Sequence, residues 1–121
     1  MAIVSYKQLI IWQKAMDLVV EVYDLVKKLP KEETYSLSDQ MRRAAVSIPS
    51  NIAEGFSRHS SKQYMHFLSV ARGSTAELET QILIGIRLKY FNEIQSEGVL
   101  NLCNEILKMS GAMITKLETK E

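Results

Sequence analysis

Apolar residues recur at helical spacing in four blocks of this 121-residue chain. The first block runs from about Gln8 to Lys28. Trp12, Ala15, Met16, Val19, Val22, Tyr23, Val26 and Leu29 share its stripe, and Lys14, Asp17, Glu21, Asp24 and Lys28 fill the other side. Pro30 stops it, because the proline ring opposes a continuing helix. The second block runs from about Leu37 to Phe56, with Leu37, Met41, Ala44, Ala45, Ile48, Ile52 and Phe56 on one face. Ser36 or Ser38 is placed to cap it. Pro49 sits inside and should bend it. The third block, from about Lys62 to Tyr90, has Ser60 and Gln63 at capping-box spacing. Its stripe is Tyr64, Phe67, Leu68, Ala71, Thr75, Leu78, Ile82 and Ile86. The fourth starts after Ser96 and carries Val99, Leu102, Cys103, Ile106, Met109, Met113 and Leu117. No period-two alternation of the kind a strand needs is sustained anywhere.

Connections between the blocks are short, so consecutive helices should run antiparallel. The expected fold is all-α: a single domain over residues 1–121, built as an antiparallel up-down-up-down four-helix bundle. The apolar arcs are wider than one core-facing stripe requires. The first helix is apolar from Leu25 and Leu18 round past Trp12 to Met16, the fourth from Met109 round to Leu107. The third carries an extra strip at Val70, Ile84 and Leu88. Surplus apolar surface of this kind marks an interface, so a homo-oligomer is expected.

Composition narrows the function classes. Charged residues are 24% and hydrophobic residues 46% of the chain, as in an ordinary globular domain. A net charge of +1 argues against a strongly basic nucleic-acid binder, leaving room for a local patch. Cys103 is the single cysteine, so no intrachain disulfide forms and a reducing cytoplasm fits. The N-terminus lacks a secretory signal pattern. No apolar run is long enough to span a bilayer, so no membrane partner is expected.

One flank of the second helix is polar without being solvent-like. At 100° per residue Gln40, Arg43, Ser47, Asn51 and Glu54 fall together beside the Ala44, Ile48 and Ile52 stripe. Ser74, Glu77 and Gln81 form a matching flank on the third helix. Antiparallel pairing about a turn near Arg58 to Ser61 puts Arg43 level with Glu77 and Ser47 near Gly73 and Ser74. This register predicts a polar seam of Arg43, Ser47, Asn51, Glu54, Ser74 and Glu77, with an Arg43–Glu77 ion pair at the border of the core. Paired polar groups in such a place fix register at some cost in stability.

Catalytic and metal chemistry find little purchase. His59, His66 and Cys103 are the only histidines and cysteine, without zinc-ligand spacing, so no metal and no cofactor are expected. Ser47 lacks a neighbouring base and an elbow motif. Glu54 and Glu77 are separated by several turns in this register, too far for joint acid–base work. Cys103 lies on an apolar face as a small hydrophobe. The chain is therefore expected not to be an enzyme. The best nucleic-acid feature is local: Arg58, His59, Lys62 and His66 cluster at the second turn, with Arg42 and Arg72 elsewhere on the same helices.

Three segments carry a family resemblance: "LIIWQKAMDLVVEVY" (9–23), "QMRRAAVSIPSNIAEGFSR" (40–58) and "FLSVARGSTAELETQ" (67–81). Together they resemble the four-helix-bundle proteins encoded within intervening sequences of bacterial 23S ribosomal RNA genes. The middle segment is the most specific, and the family pattern falls on Arg42, Arg43, Ser47, Asn51, Glu54 and Gly55, then on Ser74 and Glu77. The resemblance implies a ring-shaped homopentamer. It also implies kinship with the accessory variability-determinant protein of diversity-generating retroelements, which is strongly basic and works with a reverse transcriptase and RNA. This chain departs from that basic character. The expected function is a non-enzymatic, cytoplasmic oligomeric scaffold or accessory protein associated with RNA or a nucleic-acid-processing protein. The alternative is a protein-binding adaptor with no nucleic-acid affinity.

Overall fold

Four α-helices and two 3-10 turns make up residues 2–119, the part of the chain described by the computed structural model, and no strand occurs among them. Of the domain expected over 1–121, residues 1, 120 and 121 lie outside the described residues.

Helix α1 spans Ile10–Val26. It starts later than the apolar pattern suggests because Gln8 is used differently. Gln8 closes a 3-10 turn over Tyr6–Gln8, its Oε1 accepting the Ser5 N–H at 3.1 Å, and Leu9 is extended. Helix α2 spans Leu37–Ser57 and passes through Pro49 without interruption. Neither candidate serine caps it. Ser36 makes no side-chain cap bond, Ser38 lies inside the helix, and the Glu33 carboxylate accepts the Leu37 N–H at 3.3 Å instead. Helix α3 spans Ser61–Arg87, with the Ser60 hydroxyl accepting the Gln63 N–H at 3.3 Å. Only half of a capping box forms, since the Gln63 carbonyl turns to Arg58.

The junction between α3 and α4 is tighter than the sequence reading. Lys89 takes φ 66°, and the N–H groups of Lys89 and Tyr90 donate to the carbonyls of Ile86 and Gly85, each at 2.9 Å. This is a left-handed helix ending with lysine where glycine is usual. Phe91 then tucks its ring beneath Gly85, into space that a Cβ there would occupy. Helix α4 spans Glu93–Glu118, beginning three residues before Ser96. Asn92 and Gln95 form a reciprocal capping box, with bonds of 2.8 and 2.9 Å. Ser96 is buried in the first turn and donates to the Asn92 carbonyl.

Helix α1 packs on α2, α2 on α3, α3 on α4 and α4 back on α1, with no close backbone approach across either diagonal among the described residues. Ile11, Leu18, Met41, Ile48, Ile52, Leu68, Leu78, Ile82 and Ile106 are fully buried between them. Each such side chain contributes roughly 1.5–3 kcal/mol relative to exposure. The α1 stripe is rotated from the expected one. Ile11, Leu18 and Leu25 join Ala15 and Val22 in the core, whereas Met16 and Tyr23 are exposed.

Candidate functional site

The α2–α3 seam is built from small neutral side chains. Ser47 Oγ and Ser74 Oγ lie 2.9 Å apart across the two helices. Asn51 Nδ2 donates back to the Ser47 carbonyl at 2.8 Å and to Ser47 Oγ at 2.9 Å. All three residues are half-buried, so their partners replace water that the packing removes. Close helix approach continues one turn on. A Cβ at Gly55 would lie 2.7 Å from Phe67 Cβ and 3.2 Å from Tyr64 Cδ1, so glycine is what admits α3 there.

The charged members of the expected seam do not join it. Arg43 makes no ion pair with Glu77. Its Nε donates to Asp39 Oδ2 at 3.0 Å one turn back on α2, and its side chain is 80% exposed. The physical reason is local. A carboxylate at i−4 is already within reach on the same helix face, with no loop to close. Glu77 is exposed and has no ion-pair partner among the described residues. Glu54 turns to Arg58, 2.7 Å away, instead of into the seam. Gln81, on the same α3 flank, is buried with its Oε1 lacking a hydrogen-bond partner.

The basic residues divide into anchored and open ones. Arg58 bonds Glu54, reaches Gln63 Oε1 at 3.4 Å, and lies over the Phe67 ring with its Cζ 5.2 Å from the centroid. Its charge is thus locally compensated and its position held. His59, Lys62 and His66 are exposed around it, His59 in the left-handed region at φ 55° that turns the chain from α2 into α3. The His66 ring meets Phe67 edge-on at 5.1 Å. Arg72 lies apart from this cluster, its Nε donating to the Leu107 carbonyl at 3.3 Å and tying α3 to α4. Arg42 is at the other end of α2, where it reaches the Thr34 carbonyl at 3.5 Å. The turn therefore gathers Arg58, His59, Lys62 and His66 and leaves Arg42 and Arg72 outside. Gln63, Phe67 and Asp39 were missed as partners. Of the three only Asp39 had a signal, the spacing of an acid four residues before Arg43.

No group of three or more potential metal-ligating side chains occurs among the described residues. Cys103 is fully buried, and burial, with the nearby Glu79 charge second, pushes its thiol up to about 12. A thiol held so far from ionisation is a poor nucleophile. Burial also raises Tyr64. Tyr90 is raised by donating its hydroxyl proton to Glu33, at 2.8 Å, a bond that fastens the α1–α2 connection to the end of α3. No helix among the described residues is long and apolar enough to cross a membrane.

The comparisons with known proteins agree with this arrangement of helices. The family model of the 23S rRNA-intervening sequence protein matches residues 7–112. A crystal structure at 1.70 Å of a protein of unknown function from the S23 ribosomal protein family of Bacteroides thetaiotaomicron superposes with a TM-score of 0.80. It is 27% identical, over 87% of this chain and 98% of its own. No curated protein matches the chain. Carrying the family's pattern over nearly its whole length on a helical bundle of the same shape, the chain belongs to the 23S rRNA-intervening sequence protein family.

Proposed function

We propose that this chain is an antiparallel up-down-up-down bundle whose copies form a ring, a homopentamer, serving in the cytoplasm as a non-enzymatic scaffold or accessory protein for RNA. Level pairings support the topology: Lys14 with Glu105, Ser47 with Ser74, and Arg72 with the Leu107 carbonyl. Exposed Val20, Tyr23 and Ile94 support the assembly, since a solitary bundle leaves these large apolar side chains in water. Kinship with the accessory variability-determinant protein of retroelements belongs to the same reading.

The observation that carries the RNA part is the lopsided charge. Residues 2–17, 48–73 and 105–119, the half around the α2–α3 turn, hold seven Lys or Arg against four Asp or Glu. The other half, 18–47 and 74–104, holds seven against nine. A molecule of net charge +1 thus presents one basic end, where Lys62, His59 and His66 are open to solvent. Repeated around a ring, weak phosphate contacts at that end add by avidity. Arg58, held over Phe67, is placed as a fixed member of the patch.

Titrating structured RNA at several salt concentrations tests this. Binding should fall linearly on a log–log plot against salt as phosphate contacts release counterions. Lys62→Glu should weaken it and flatten the slope. No binding at low ionic strength overturns the RNA function. The second reading, a protein-binding adaptor without RNA affinity, draws on the acidic majority in the opposite half and is the result of that outcome.

A further inference from the structure

Helix α4 is flanked at its N-terminal half by two apolar grooves. One, of about 770 Å³, lies between α1 and α4 and exposes Val20 and Tyr23. The other, of about 860 Å³, lies between α3 and α4 and is bordered by Leu83, Ile84 and Ile94, the last 83% exposed. Each rim carries charges of both signs. Lys27 and Lys28 edge the α1 groove, along with Glu21 and Asp24. Glu93 and Glu97 edge the α3 groove, along with Arg87. Of these seven, only Lys27 and Asp24 make an ion pair among the described residues, and that one is a loose 4.0 Å contact.

From this juxtaposition we infer that the α1–α4 groove of one copy receives the α3–α4 edge of the next, with Ile94 seated against Val20 and Tyr23. The inference rests on the oligomer proposed above and specifies its joint. The occupant is a second copy because the two faces complement each other on three counts. Both are apolar, they lie at the same end of the bundle, and counting from the Lys14–Glu105 pair puts Lys27 and Lys28 of one rim level with Glu93 of the other. Two different patches on one protomer make a head-to-tail contact, which extends from copy to copy until it closes. The two grooves share α4 and therefore occupy adjacent, not opposite, sides of the bundle. Each added copy turns the same way, so the chain of contacts closes into a small ring with α4 on the inner side and α2 on the outer side.

The test uses Val20→Asp and Ile94→Asp, each followed by gel filtration with light scattering and by circular dichroism. The wild type should run as an oligomer. Each variant alone should lose one face and fall to the mass of a single folded chain. Mixed in equal amounts, the two should form a dimer and stop there, because one intact face of each kind remains. A monomeric wild type overturns the oligomer itself. An oligomeric wild type with both variants still assembled overturns this joint and leaves the oligomer standing. Monomeric variants that fail to pair on mixing, or one variant that still dimerises with itself, also overturn the joint. If either aspartate variant loses its helical signal, Val20→Ser and Ile94→Ser are read by the same mixing experiment.

Discussion

Two helical glycines should respond to alanine in opposite directions. In isolation, Gly→Ala inside a helix stabilises by about 0.8–1 kcal/mol, because alanine loses less backbone freedom on folding. Gly73 on α3 is exposed, and a Cβ there meets nothing within 4 Å, so Gly73→Ala should realise that gain of about 1 kcal/mol. Gly55 on α2 is buried, and its Cβ would lie 2.7 Å from Phe67 Cβ. Phe67 Cβ is fixed to the α3 backbone, so relief requires the helices themselves to part. Overpacking of this kind costs about 1–3 kcal/mol, which exceeds the propensity gain and leaves Gly55→Ala about 1 kcal/mol less stable than wild type. The two variants should therefore differ by about 2 kcal/mol, or roughly 8 °C in melting temperature for a domain near this size. Urea melts followed by circular dichroism at one fixed chain concentration would measure it, since association shifts apparent stability by mass action. A Gly55→Ala protein at least as stable as wild type would refute the close-approach argument.

Other substitutions follow from the same contacts. Asn51→Ala removes two hydrogen bonds and leaves the Ser47 carbonyl and hydroxyl with fewer partners, so urea melts should register a loss of about 1–3 kcal/mol. Arg43→Ala should change stability by less than about 0.5 kcal/mol in the same melts, because its only ion pair is an exposed i,i+4 contact; a loss above 2 kcal/mol would restore the Glu77 partnership. Cys103 should resist a thiol reagent at pH 8 in the folded protein and react on denaturation. Its folded pKa is raised, so the associated stability is full below pH 9. That stability declines as pH climbs from 9 toward about 12, which melts across that range would follow.

How legible the chain is depends on the range of the interaction involved. Helix α2 is close to its sequence reading because three cues agree, a clean apolar stripe, a glycine and a serine-rich stop, although neither candidate serine caps it. The α1 stripe was centred too far toward Met16 and Tyr23. A helix apolar over half its circumference has no sharp maximum, so periodicity alone does not identify which edge faces the core. The start of α4 was placed at Ser96, although Asn92 and Gln95 carry a complete capping signature. An apolar residue, Ile94, in the first turn and largely exposed hid it. The end of α3 turns on Lys89 in a left-handed conformation, for which lysine gives no warning. Asp39 and Glu54 were both visible at i−4 from an arginine, and that local spacing outweighed the long-range register argument for Arg43.

The seam separates two roles that the sequence presents together. Charges can pair along a helix whatever its neighbour does, so Arg43 with Asp39 and Arg58 with Glu54 would survive a one-turn slip of α3 against α2. Ser47 with Ser74 would not. Sliding α3 by four residues brings Val70 or Leu78 opposite Ser47, which removes the hydroxyl partner and pushes a large side chain into a space shaped for two serines. The same slip drives a bulkier residue than glycine against Phe67. Register on this face is therefore held by short neutral groups that fit only one way, and the conspicuous arginines lie outside it. That leaves His59, Lys62 and His66 outside the alignment, since none of the three makes a hydrogen bond or ion pair between the helices among the described residues, whereas Arg58 reaches α3 through Gln63 and Phe67.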